Sequence, residues 1–196
     1  MDHYFIPTKK PLILSKMLVR LKNKEPFELY TASGLFSKNE LDKGSQVLIE
    51  HCVLPETCTS VLDLGCGVGI VGVSLLRQHR SLKMTFSDIN SRALKVTRSN
   101  LKLYGLTAEV VESNLFEKIP EKFDLILSNP PQSAGKKVCE RLVRDSFLHL
   151  HPGGHLQFVI RKNKGGESLS KVATDVFGSF SVLAKKGGFW VYDCER

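Results

Sequence analysis

The chain has 196 residues, 42% of them hydrophobic and 24% charged, enough to bury one sizeable core and too few to expect two. Lys and Arg number 28 against 20 Asp and Glu, a net charge of +8. No apolar run approaches a bilayer span, and the start, MDHYFIPTKK, lacks an apolar segment behind basic residues, so membrane insertion and secretion are not expected. The five cysteines form no CxxC pair; they read as reduced thiols of a cytoplasmic protein.

The positive charge is uneven. From Met1 to Lys24 there are six basic residues (Lys9, Lys10, Lys16, Arg20, Lys22, Lys24) against Asp2 alone, which gives +5 of the +8. Such a segment suits a polyanion, because each cation near a phosphate releases a counterion. It equally suits a solvated surface, and charge alone leaves both open. From Pro11 to about Val53 the pattern predicts a helix over Leu12 to Leu21, an extended stretch around PFELYTASGLFS, and a helix near Gly44 to Cys52. Residues 1–53 are therefore taken as a basic elaboration packed on a core of residues 54–196, the whole forming one globular domain.

From Ser60 onward short apolar runs alternate with helical patterns, the signature of an α/β fold with a parallel sheet and crossover helices. The strand candidates are SVLDLG, LKMTFSD, TAEVVES, FDLILSN and HLQFVI. Between them lie helical stretches at Val71 to His79, Ser91 to Leu103 and Lys136 to Leu150, and a turn at His151-Pro152-Gly153-Gly154. After a last helix, Glu167 to Val176, the tail SFSVLAKKGGFWVYDCE reads as two strands around Gly187-Gly188, joined too tightly to be parallel.

Directly after the first of these strands, Gly65, Gly67 and Gly69 stand at alternate positions. This lets backbone approach a ligand closely at a helix N-terminus. Gly67, Gly69 and Gly72 also satisfy GxGxxG, with Asp88 about 20 residues on, so a dinucleotide is a competing ligand. Asp63 favours S-adenosylmethionine: a carboxylate there engages the ammonium of a methionine moiety but repels a pyrophosphate. Asp88 can accept both ribose hydroxyls. After the fourth strand comes Asn129-Pro130-Pro131, which hydride transfer does not require. It suits methylation of a planar amino group, whose lone pair is delocalised. The Asn129 side-chain oxygen and the Pro130 carbonyl would each accept an amino proton and favour a pyramidal nitrogen, and the prolines stiffen the loop.

Asp63 to Gly69, Asp88, Glu112-Ser113-Asn114-Leu115-Phe116 and Ser128-Asn129-Pro130-Pro131 resemble the class I methyltransferases. Gly34-Leu35-Phe36-Ser37 and Leu41-Asp42-Lys43-Gly44-Ser45 narrow the likeness to the "small-domain" methyltransferases, which include RsmC-type ribosomal RNA guanine-N2 methyltransferases and single-domain archaeal relatives. The resemblance implies a Rossmann-like, doubly wound, mostly parallel seven-stranded sheet with its last strand antiparallel. It also implies S-adenosylmethionine as cofactor, with Asp63, Gly65, Gly67, Gly69, Asp88, Ile89, Ser113 and Asn114 around it, the last two near the adenine. Asn129, Pro130 and Pro131 become the catalytic residues.

Gln132 stands where relatives acting on nucleobases often carry an aromatic ring, so stacking would come from elsewhere, with Phe36 a candidate. Arg161, Lys162 and Lys164 follow the fifth strand, at the carboxyl edge where ligands bind, and are the better RNA contacts. Lys137, Arg141 and Arg144 read as a solvated helix face. His149, His151 and His155 flank a turn with no adjacent acid or cysteine, and no metal is expected.

The leading function is methylation of guanine N2 in RNA, with ribosomal RNA or a ribosomal subunit as partner. Protein glutamine and adenine amino groups are alternative acceptors, and a catalytically silent RNA-binding module is the alternative outside enzymes. Intact Asp63, Asp88 and Asn129 speak against the silent form.

Overall fold

A computed structural model describes residues 11–35, 41–130 and 135–196. Strands β1 (Leu14–Val19) and β2 (Phe27–Ala32) form an antiparallel hairpin, followed by α1 (Lys43–His51). The remainder alternates as β3 (Ser60–Leu64), α2 (Ile70–Gln78), β4 (Lys83–Asp88), α3 (Ser91–Leu103), β5 (Glu109–Glu112), β6 (Phe123–Ser128), α4 (Lys136–Leu148), β7 (Leu150–Arg161), α5 (Gly166–Phe177), β8 (Ser181–Lys186) and β9 (Phe189–Glu195).

The sheet runs in the order β5-β4-β3-β6-β7-β9-β8. All pairs are parallel up to β7, and β9 is inserted antiparallel between β7 and β8. The seven-stranded, doubly wound sheet expected from the sequence is therefore present. Alternate residues of its central strands feed two cores, because both faces of a parallel sheet are covered. Val61, Leu125 and Leu127 join the helices α1 to α3 on one face; Leu62, Leu64 and Ile126 join α4 and α5 on the other. Strand order reverses between β3 and β6, and a crevice opens there at the carboxyl ends.

Two local expectations are corrected. The stretch Leu12 to Leu21 is not a helix. Its Met17 and Val19 alternate with exposed Leu18 and pack inward, and the strand is paired residue for residue with β2, so tertiary pairing overrides a pattern that also fitted helical spacing. The segment His151 to Gly154 is not a turn ahead of a strand but a bulge inside β7. Pairing with β6 jumps from Phe123–Leu150 to Leu125–His155, Gly153 takes φ +75°, and a Cβ on Gly154 would sit 3.0 Å from the Phe123 carbonyl.

A buried side chain on α3 helps fasten the hairpin to the rest. Asn100 on α3 accepts from Tyr30 N (2.6 Å) and donates to the carbonyls of Tyr30 (3.0 Å) and Val68 (2.8 Å), tying β2 to the glycine turn.

Candidate active site

The glycine turn after β3 is built by backbone geometry. The amides of Gly65 and Cys66 both donate to the Ser87 carbonyl, at 2.8 and 2.9 Å. Gly65, Gly67 and Gly69 take φ of +71°, +57° and +83°, which side chains disfavour. A Cβ on Gly65 would meet nothing within 4 Å, so this backbone faces open cleft. Gly69 instead serves packing: it starts α2, does not line the cleft, and a Cβ there would press on Thr97 at 2.9 Å. Thr97 also donates to the Gly67 carbonyl (2.9 Å), so α3 clamps the turn from behind.

Asp63 is 2% exposed and accepts from the amide of Gly72 at 2.8 Å. Burial pushes its carboxyl up to about 7, opposed by the Gly72 bond and assisted by the charge of Asp88. Gly72 is therefore required sterically, since a Cβ there would sit 2.4 Å from Phe86 and 2.9 Å from the Asp63 carboxylate. Asp88, at the end of β4, accepts from Gly67 N and Asn90 N, both at 2.8 Å, which locks its two oxygens in place beside the turn.

These groups line a cleft of about 360 Å³. Ile89, 45% exposed, and the buried Ser113 stand on its wall with Asn114 and Leu115. The Asn114 side-chain nitrogen donates to Glu117 at 2.8 Å, which leaves the carbonyl end of the amide as its acceptor. Leu115 takes φ +52°, a strained conformation for a side-chain-bearing residue, at the cleft wall. Val138, Cys139 and Leu142 of α4 add an apolar side that the sequence did not single out.

At the far end Asn129 follows β6, with Pro130 beside it on the cleft wall. Its side-chain nitrogen donates to Asp42 Oδ2 (2.6 Å) and to Ser45 Oγ (3.0 Å). Both amide protons are thereby used, so the oxygen is fixed as the end that accepts. The same Asp42 oxygen caps α1 by accepting from Ser45 N at 2.8 Å. Gly44 makes room: a Cβ there would lie 3.0 Å from Asn129 Oδ1 and 3.1 Å from Phe189. The stretch Leu41 to Ser45, noticed in the sequence as a likeness only, is thus the support of Asn129.

The matching family model is "Methyltransferase small domain", over residues 26–193. The chain belongs to this family. It is thereby an S-adenosylmethionine-dependent methyltransferase. It is 34% identical to the uncharacterized protein YbxB of Bacillus subtilis, over 100% of this chain and 98% of that protein. It is 35% identical to the ribosomal RNA small subunit methyltransferase C of Hamiltonella defensa, over 97% of this chain and 56% of the relative. In structure it resembles the T. thermophilus 16S rRNA N2 G1207 methyltransferase (RsmC), solved with AdoMet and guanosine. There the TM-score is 0.79 at 23% identity, over 97% of this chain and 52% of the other. The chain spans about half the length of these RsmC-type relatives.

The cleft of this methyltransferase fits S-adenosylmethionine. Gly65 turns bare backbone toward open space, Asp63 and Asp88 offer carboxylates of fixed orientation, and the buried Ser87 hydroxyl on the wall has no hydrogen-bond partner among the described residues. Asp63, Gly65, Gly67, Asp88, Ile89, Ser113, Asn114, Asn129 and Pro130 all line this one cleft, in keeping with the sequence motifs. Arg161 and Lys162 do not line it; they sit at the end of β7, over the rings of Phe189 (4.8 Å) and Trp190 (4.9 Å). Phe36, Pro131, Gln132 and the side chain of Lys164 lie outside the described residues.

The histidine trio is dispersed. His149 stacks on Phe116 with ring centroids 4.1 Å apart, His155 pairs with Asp193 at 3.0 Å, and His151 is exposed. Among the described residues no group of His, Cys, Asp and Glu is arranged to hold a metal, and no helix is long and apolar enough to cross a membrane.

Proposed function

We propose that this methyltransferase acts on the 2-amino group of a guanine in ribosomal RNA, with Asn129 and Pro130 presenting the amino nitrogen to the methyl group. The observation that carries the reading is the double anchoring of the Asn129 side-chain nitrogen by Asp42 and Ser45, which leaves its oxygen as a fixed acceptor on the cleft wall. S-adenosylmethionine supplies an electrophilic methyl on a sulfonium. The rest falls to the protein: Asn129 Oδ1 and the Pro130 carbonyl each accept one amino proton and hold the lone pair toward that methyl. The nitrogen gains the methyl and gives up one proton to water, with no strong base required. Asp63 holds the methionine ammonium, Asp88 the ribose hydroxyls, and Ser113 and Asn114 border the adenine.

The acceptor is favoured by likeness: relatives carry the name ribosomal RNA small subunit methyltransferase C, and the T. thermophilus structure was solved with guanosine. The net charge of +8 suits an RNA partner, and five free cysteines suit the cytoplasm. Division into an elaboration (residues 1–53) and a core (54–196) accompanies this reading, with α1 of the elaboration supplying Asp42 and Ser45 to the core's Asn129. Two variants test the division of labour. Asn129→Ala is expected to abolish methyl transfer while cofactor affinity measured by calorimetry is kept, and Asp88→Ala to weaken cofactor binding. Full activity of Asn129→Ala would end the amino-group mechanism.

A further inference from the structure

Beyond the cleft, cations gather at the tip of the β8–β9 hairpin. Arg161 is paired in register with Phe189, and Lys162 N donates to the Gly188 carbonyl at 3.1 Å, so the end of β7 and the Gly187-Gly188 tip form one ledge. Phe158 lies level with Ser128 on β6, and β7 runs on to Arg161, so the ledge stands past the carboxyl edge from which Asn129 projects. Five basic residues surround it: Lys43, Arg161, Lys162, Lys185 and Lys186. A Cβ on Gly187 would be 3.4 Å from Lys43 Cε, which brings the start of α1 to the tip. Among the described residues only Lys186 has a carboxylate at ion-pair distance, Glu50 at 3.1 Å.

The arrangement holds like charges together. The ammonium groups of Lys162 and Lys185 lie 4.9 and 4.3 Å from the centroid of one indole, Trp190, while Arg161 covers Phe189. Phe189 belongs to the core on the α1 face and Trp190 packs against the core on the α5 face, so the cations wrap around the tip. Attraction to the rings' π faces positions these cations, but it does not neutralise them. A polyanion does, and phosphate is the anion a cleft for a nucleobase brings with it.

We propose that this hairpin tip docks the phosphate backbone of the RNA strand leaving the cleft, with Trp190, Lys162 and Lys185 as its centre and Lys43, Arg161 and Lys186 as its rim. The inference rests on the proposed RNA substrate. It is continuous with the catalytic end: Phe189, under Arg161, and Asn129 are both near neighbours of the space a Gly44 side chain would occupy. In chain order the ledge draws on three separated segments, so only its Arg161 and Lys162 stand out in the sequence.

The chain has one tryptophan, so its emission reports on this ledge alone. Small-subunit ribosomal RNA would be titrated into the full chain while Trp190 fluorescence is followed, with filter retention of labelled RNA measured in parallel over a series of salt concentrations. The expected result is a saturable change in emission that tracks retention. The double variant Lys162→Ala with Lys185→Ala should lower the slope of log affinity against log salt by about 1.4 to 1.8, two phosphate contacts. Its cofactor affinity should be unchanged. RNA that is retained and methylated with no Trp190 response and an unchanged slope overturns the docking surface and leaves the substrate reading standing. RNA that is neither retained nor methylated, while an acidic protein changes Trp190 emission, overturns both.

Discussion

Replacing Asp42 separates its two roles. One oxygen caps α1 through Ser45 N (2.8 Å) and holds the Asn129 amide (2.6 Å). Asp42→Ala removes the cap, at about 1 kcal/mol, which in a domain of this size lowers Tm by roughly 2–4 °C. It also removes a charge-assisted hydrogen bond, about 1.5–3 kcal/mol, leaving the Asn129 amide on Ser45 Oγ alone (3.0 Å). If that bond sets the orientation of the reacting amine, its loss appears in the transition state as a fall in kcat of about ten- to hundredfold. Asp42→Asn keeps a capping oxygen of equal rank and an acceptor for Asn129, so it should restore Tm and recover part of kcat. The assay is single-turnover transfer of labelled methyl to small-subunit RNA, beside calorimetric affinity for S-adenosylmethionine, which should move less than about twofold. Asp42→Ala with normal kcat and a lowered Tm would refute the reasoning and reduce Asp42 to a cap.

Further outcomes follow from close contacts and from burial. Gly44→Ala places a Cβ 3.0 Å from Asn129 Oδ1 and 3.1 Å from Phe189; methyl transfer should fall at least about tenfold while Tm changes little, because the gain in helix propensity offsets the crowding, and differential scanning calorimetry beside the transfer assay checks both. Burial pushes Asp63 up to about 7, so below that pH the free protein carries it protonated and must release a proton to hold an ammonium. Cofactor affinity should therefore rise about fivefold from pH 6 to pH 7, about twofold more by pH 8, and then level. The stability Asp63 lends the ligand-free fold is complete below the ordinary carboxyl range and lost as pH climbs toward 7, so calorimetry on Asp63→Asn should show a flatter Tm profile across that window.

Much of the fold and the cleft was legible in the sequence because the signals are local. The strand, glycine turn and helix around Gly65 obey steric rules over a few residues, and Asp63, Asp88 and Asn129 end strands whose carboxyl edges the topology must bring together. The tight Gly187-Gly188 connection required an antiparallel last pair. What was not legible depends on partners distant in the chain. Leu12 to Leu21 fits helical spacing, and only pairing with β2 makes it a strand. The bulge at Gly153 and Gly154 exists because β7 must realign against β6. The link from Asn129 to Asp42 spans 87 residues, and the cations at the hairpin tip meet only when β9 is inserted beside β7. Thr97 and Asn100 read as ordinary polar positions of a helix, yet they clamp the glycine turn.

The chemistry of the acceptor is the point on which the proposed function turns, and nucleoside analysis reads it directly. The protein would be incubated with labelled S-adenosylmethionine and, separately, total RNA, ribosomal subunits and a protein extract, and any labelled RNA digested to nucleosides. Label recovered as N2-methylguanosine is the predicted result; label confined to protein, or to methylated adenosine, would contradict it.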